Sequence, residues 1–356
     1  MRNTNIVKLR LSNQRLSSSA FKNPAEVVRW LGAVQAQDYG ASKWALALRL
    51  RNSTDTAIED AFNNGEILRT HVMRPTWHFV TPEDIRWLLD LTSPRVNVAC
   101  RQYYRRLELD EPFFRRAHKV IKKTLKDERN LTRTELRSRL VQEGIEPGDS
   151  VRMGFILHRG ELDGLLCSGP RRGKQFTYAL LDQRVPETKK IGRDEALAML
   201  TLRYFKSHGP ATVHDFAWWS GLMLSDVRAG LEMVSKKLDR TNNESHEYWF
   251  ASTKVDALPE AILLPAFDEY LVGYTDRRAA IDPVVKVKGL SNSVLGSVVL
   301  QQGLIKGEWN KKMDRRETVI EVKSYKRLDA LFRRALDNAV AAYGEFVGLP
   351  ARMRLR

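Results

Sequence analysis

Cysteine is nearly missing: the 356 residues include only Cys100 and Cys167, and these form no CxxC pair. A disulfide framework is thereby excluded, and a reducing, cytoplasmic setting is expected. Long apolar runs are missing too. Nothing approaches the ~18 uninterrupted apolar residues of a membrane span. The start, Met1-Arg2-Asn3-Thr4, leads into a charged segment rather than the apolar core of a secretory leader. The expectation is therefore no membrane partner. The seven histidines (His71, His78, His118, His158, His208, His214 and His246) show neither HExxH spacing nor a Cys/His cluster, so no metal is expected. GxGxxG, GxSxG and the kinase signature set are absent, and no cofactor is expected. The nearest approach to a phosphate loop is Gly169-Pro170-Arg171-Arg172-Gly173-Lys174-Gln175. Only three residues separate its glycines, and no Ser/Thr follows the lysine. It reads as a turn carrying phosphate-contacting cations.

Acid is in short supply relative to base. Lys and Arg total 59 against 43 Asp and Glu, a formal charge of +16, which points to a polyanion and first to nucleic acid. With 43% hydrophobic and 29% charged residues, the chain has enough apolar content for globular domains with real cores.

What is present is a recurring order of helices and hairpins. Asn23, Pro24 and Glu26 are an N-cap, an N1 proline and an N3 glutamate, followed by Val27, Val28, Leu31 and Val34 at helical spacing. Helical runs over Ser42–Leu50 and from Asp55 to Gly65 lead into strands Glu66–Val72 and Trp77–Val80. Three helices and a hairpin describe a winged helix. Thr81-Pro82 and Ser93-Pro94 both read as helix starts. Thr132 and Glu135 form a capping box, and the Thr132 and Thr212 caps open similar runs 80 residues apart. Ser225 reads as a further cap, and Trp218 and Trp219 as core. The final stretch switches to strands at Ala261–Ala266, Ser297–Gln302, Gly303–Asn310 and Glu317–Val322, then a helix over Leu328–Phe346. The expected fold is α+β and mainly helical: three tandem winged-helix motifs with a small C-terminal β-rich domain and a closing helix. The expected parts are winged helix 1 at 5–85, a connector at 86–111, winged helix 2 at 112–185, winged helix 3 at 190–256 and the C-terminal domain at 260–356.

The most specific local string is Val34-Gln35-Ala36-Gln37-Asp38-Tyr39, placed near the end of the first capped helix. On a helix, residues two apart diverge by ~200°, so both glutamines face one cleft only if the helix ends there. Taken alone, two glutamines at a helix end also fit surface or backbone-capping roles. Gln35-Ala36-Gln37-Asp38 resembles the glutamine–x–glutamine motif of the AlkZ/YcaQ-type winged-helix DNA glycosylases. Further stretches agree in order: Leu68–Val80 resembles the first wing, and Gly209–Thr212 with Trp218–Leu222 the third winged helix. Leu264–Glu269 with Asp276-Arg277, and Gly307-Glu308-Trp309, resemble the C-terminal signature. The second motif position separates two branches, and Gln37 places the chain with the AlkZ-like branch rather than the branch with aspartate there.

The resemblance implies a monofunctional DNA glycosylase acting on cationic alkylated purines in duplex DNA, with bulky or crosslinked adducts in range. It implies Gln35 and Gln37 as catalytic positions and no role for Asp38. Arg74, His78, Arg171, Arg172, Lys174, Lys311, Lys312, Arg315 and Arg316 are the expected DNA contacts. His71, Trp77 and Asp268 are candidates for the cleft, although Trp77 also reads as core-facing, and Asp268 as a turn cap or a partner of Arg277 or Arg278. No lysine lies in the motif to form a Schiff base, so hydrolysis without strand cleavage is expected. A monomer with no obligate protein partner is expected. The alternatives are a non-catalytic winged-helix DNA-binding protein or transcriptional regulator, and an RNA-binding protein.

Overall fold

The structure, a computed structural model, describes residues 3–187, 190–243, 246–282 and 295–356. Parts of the expected third winged helix (244–245) and of the C-terminal domain (283–294) lie outside the described residues. The mainly helical α+β architecture with a β-rich C-terminal sheet and closing helix is as expected. The chain divides into two compact units: Met1–Glu59, Ala198–Trp219 and Met223–Arg356 in the first, and Asp60–Leu197 with Ser220–Leu222 in the second.

The first unit is built on a five-stranded sheet in the order Ala351–Leu355, Thr318–Ser324, Leu304–Met313, Val298–Gln301, Ile262–Leu264. Neighbours are antiparallel except the pair Thr318–Ser324 and Ala351–Leu355. A parallel pair needs a crossover, and the helix Ala330–Val347, capped by Asp329, supplies it. The strand Ala351–Leu355 is absent from the sequence reading. Its side chains are half-buried or exposed, so it carries little apolar signal.

A helix over Asn3–Asn13 is a second element absent from that reading. It buries Val7 and Leu11 against Ile262, Leu264, Tyr270, Leu300 and Ile305. The polar residues at its end, Arg10, Ser12 and Asn13, and Gln14 just beyond it, are buried as well. The Arg10 guanidinium donates to the Pro210 carbonyl at 3.0 Å, Asn13 to Gly209 at 2.8 Å, and Gln14 to the Tyr274 hydroxyl at 3.0 Å. Partners some two hundred residues away satisfy groups that, in sequence, look like a solvated stretch.

The second unit has its core where the helix Glu111–Asp127 lays Phe113, Phe114, Ala117, Ile121 and Leu125 against Leu136, Leu140, Ile156, Leu157 and Leu166. The Thr132 capping box is complete: Thr132 accepts from Glu135 N–H, and Glu135 accepts from Thr132 N–H. Hairpins pair Leu68–Val72 with Arg74–Val80 and Leu166–Ser168 with Thr177–Leu180. Two expected helix starts are corrected. Ser93-Pro94 does not begin a helix, because Pro82–Arg106 is one continuous helix with Pro94 inside it. Burial of Leu88, Leu91, Val96 and Cys100 along its length outweighs the one hydrogen bond that proline removes. Ser225 lies inside the helix Leu224–Val234, whose cap position is Met223. The thiols of Cys100 and Cys167 are free and buried, and burial pushes Cys167 up to about 12.

Candidate active site

The helix that leads into the motif is Pro24–Leu31, opened by Asn23 Oδ1 accepting from Glu26 N–H at 3.0 Å. It stops earlier than the sequence suggests. Gly32 sits at φ +87°, a left-handed conformation that closes a helix, and a Cβ there would lie 3.3 Å from the Trp219 ring. The chain then runs extended through Val34–Gln35. Asp38 turns it into the next helix, Tyr39–Ala47, by accepting from Ala41 N–H at 3.0 Å. The motif is thus a link between helices rather than a helix end. The ~200° divergence of helical neighbours does not apply to it, because only Val34–Gln35 is extended and Gln37 lies at the bend that follows. Gln35 is buried and Gln37 exposed. Asp38 is spent as a cap.

A carboxylate lies directly behind this link. Glu269 Oε1 accepts from the Gln35 backbone N–H at 2.8 Å, and Oε2 accepts from the Trp219 indole N–H at 2.7 Å. His208 Nε2 stands 3.3 Å from the same Oε2. Glu269 has no exposed surface. Burial drives its pKa upward, but the hydrogen bonds from His208, the Gln35 backbone and Trp219 outweigh that and hold it below the ordinary carboxylate value. Burial lowers the pKa of His208 despite the carboxylate beside it. The Ser207 hydroxyl donates its proton to the Arg203 carbonyl at 2.8 Å, and the same oxygen lies 2.8 Å from His208 Nδ1. Neither Glu269, which ends the Leu264–Glu269 signature stretch, nor His208 is among the site residues expected from the sequence. The available signal was two adjacent acids, Asp268 and Glu269, set between the apolar runs Ala261–Ala266 and Tyr270–Val272.

Asp268 is also wholly buried, and it pairs with neither Arg277 nor Arg278. Its two oxygens take Arg49 Nη1 and Nη2 at 2.8 and 2.9 Å, and Oδ1 caps the short helix Glu269–Val272 at Tyr270 N–H. Arg278 pairs instead with Asp276. Trp219 is core as expected, but Trp218 is 43% exposed and donates to the Val272 carbonyl.

Of the C-terminal cations, Lys311 donates to the Tyr343 hydroxyl at 2.8 Å, beside the Trp44–Tyr343–Trp309 aromatic cluster. Lys312 pairs with Glu321 at 3.1 Å. Arg315 and Arg316 stand exposed in the turn between strands Leu304–Met313 and Thr318–Ser324.

The remaining predicted residues fall in the second unit. His71 pairs with Glu161, faces the His158 ring at 4.4 Å and lies against Trp77 at 4.3 Å. Trp77 is half-buried rather than core, with the Arg69 guanidinium 4.2 Å from its ring centre. Arg74 is half-buried at the hairpin turn. His78 is a correction: its side chain has no exposed surface and its Nδ1 lies 2.9 Å from the Thr76 carbonyl, so it presents nothing to a phosphate. The 169–175 tip is stitched inward. Arg171 packs on Phe176 and donates to the Lys174 carbonyl, Arg172 is exposed but pairs with Glu135, and Lys174 is exposed.

Another basic surface lies on the helix Glu111–Asp127. Arg115, Lys119, Lys122 and Lys126 are exposed, and no acid lies between Glu111 and Asp127. At 3.6 residues per turn these four positions fall within about 60° of one another, a single cationic stripe.

Comparison with known proteins bears on the family and the fold. A sequence model described as "DNA glycosylase AlkZ-like" matches residues 28–346. An interstrand DNA cross-link repair glycosylase of Streptomyces sahachiroi is 24% identical over 328 residues, covering 84% of this chain and 85% of its own. The solved structure of Streptomyces sahachiroi DNA glycosylase AlkZ superposes with a TM-score of 0.79 at 22% identity, covering 99% of both chains.

Proposed function

Because this chain belongs to the AlkZ-like DNA glycosylase family and is therefore a hydrolase acting on DNA, we propose that it excises cationic alkylated purines, of the N7-alkylguanine or N3-alkyladenine type, from duplex DNA. The observation that carries this reading is the Gln35-Ala36-Gln37 link, held from behind by Glu269 and containing no acid or base of its own. Such a site suits a substrate that is already a good leaving group. The base departs with the electron pair of the C1′–N bond and becomes neutral, so it needs no strong protonation. Water adds to C1′, and its proton passes to solvent. A neutral amide orients that water by accepting one hydrogen bond and donating another. We assign this role to Gln35 and Gln37, and we assign phosphate contacts to Lys174, Arg315 and Arg316. The relative from S. sahachiroi is an interstrand cross-link repair glycosylase. We extend bulky and crosslinked adducts to this chain on that similarity. The reading includes a monomer built of the winged-helix segments 5–85, 112–185 and 190–256, the connector 86–111 and the C-terminal domain 260–356.

The test is single-turnover release of N7-methylguanine from duplex DNA. Wild-type protein should release the base without nicking the strand and should leave uracil, an uncharged leaving base, in place. Tight duplex binding with no release of any alkylpurine would sink the assignment.

A further inference from the structure

A buried, ionised glutamate is an expensive object. Its desolvation cost is several kcal/mol unless close partners offset it, and an apolar side chain of similar volume is often as stable or more so. Among the described residues, no Lys or Arg side chain pairs with Glu269. The Arg49 guanidinium is taken by Asp268, and Arg10 lies on the Tyr274 ring, 4.0 Å from Asp215. Among the described residues, the sole ion-pair neighbour of Glu269 is His208. Its other donors, the Gln35 N–H and the Trp219 indole, are neutral. The negative charge therefore stays uncancelled, and it is aimed at the motif backbone.

The reaction assigned to that motif develops positive charge on the sugar. Gln35 and Gln37 carry none to oppose it. We propose that Glu269 is a positioning residue for this reaction: it fixes the main chain of Gln35 and places behind the motif the negative charge that the motif itself lacks. The inference rests on the assignment of Gln35 and Gln37 above. A carboxylate 2.8 Å from Gln35 N lies within about one side-chain length plus a hydrogen bond, ~10 Å, of whatever the Gln35 amide touches. At that range and an effective dielectric near 20, one charge changes a rate by about 10-fold.

The experiment uses the full-length protein and Glu269→Gln, which preserves size and an acceptor for the Gln35 N–H but removes the charge. Two readouts are taken. One is single-turnover release of N7-methylguanine, expected to slow about 10-fold. The other is the ratio of affinities for two duplexes, carrying either a protonated pyrrolidine abasic mimic or its neutral tetrahydrofuran counterpart. Wild-type protein should prefer the cationic mimic, and Glu269→Gln should cut that preference about 10-fold. Both affinities scale with the folded fraction, so partial unfolding does not move their ratio. Should the glutamine variant fail to fold, Glu269→Asp serves. It keeps the charge while withdrawing it from Gln35 N–H, so it should slow release yet retain the preference, and a lost preference there overturns the proposal. An unchanged rate and ratio in folded Glu269→Gln also overturn it. If wild-type protein releases no alkylpurine at all, the assignment of the motif fails first, a distinct outcome.

Discussion

The Val34–Asp38 link and the helix Glu111–Asp127 are opposites. The link has one charged side chain, Asp38, and that is spent on a cap. Its geometry is set from beneath by buried ionised groups. The helix has an apolar face in the core and a solvated stripe of Arg115, Lys119, Lys122 and Lys126. The contrast separates two tasks. Affinity for a polyanion grows with each exposed cation and is weakened by salt. Chemistry at one bond depends on a few neutral groups held to a fraction of an ångström, which screening does not reach.

The harshest way to break this comparison is to remove the support of the link without touching it. Asp268→Ala leaves Arg49 buried without its carboxylate, and stability in urea should fall by about 3–5 kcal/mol. A loss under 1 kcal/mol would mean the buried pair is not what holds this region. Next comes the link itself. Gln35→Ala or Gln37→Ala should slow single-turnover base release on the order of 10²-fold, about 3 kcal/mol, while affinity for undamaged duplex hardly moves. Equal losses in rate and affinity would erase the division of labour.

The unit carrying the cationic helix also has a pH handle. Burial, and then the neighbouring His71, push His158 down to about 3. The unfolded ring titrates near ~6.5. The unfolded state therefore binds the extra proton first, so stability should be full above pH ~6.5 and decline as pH falls toward 3. The expected loss between pH 7 and pH 5 is about 2 kcal/mol, and His158→Leu should flatten that slope. The smallest effect is expected from single changes in the stripe. Each of Arg115→Gln, Lys119→Gln, Lys122→Gln and Lys126→Gln should lower the slope of log affinity against log salt by about 0.9 if that residue contacts a phosphate, with base release at saturating DNA unchanged. Slopes that stay at the wild-type value would make the stripe a solvated face and nothing more.

Much of the fold was legible because its signals are local. Asn23-Pro24 with Glu26 and the Thr132–Glu135 box place their helices within a residue or two, since capping involves only neighbours in sequence. Alternation in the C-terminal stretch finds four of the five sheet strands. The motif glutamines were legible as a pair, but their setting was misread as helical, because Gly32 ends the helix one residue past Leu31 and the apolar spacing carries on through Val34. His78 and Trp77 show the same limit from the other side. Both sit on strand Arg74–Val80, yet His78 is buried and Trp77 is half-exposed, an outcome set by what packs over each one.

By itself, then, the sequence determined the helix starts at Asn23-Pro24 and Thr132, the basic character, the absence of a disulfide framework and the pair of glutamines. Each of these depends on residue identity or on spacing within a turn or two. Only the tertiary structure decided that Asn3–Asn13 completes the C-terminal core, that Asp268 serves Arg49, and that Glu269 reaches the backbone of Gln35 across 234 residues of chain. The physical reason is that a buried polar group must find a partner wherever the fold brings one, and no local pattern records a partner that distant.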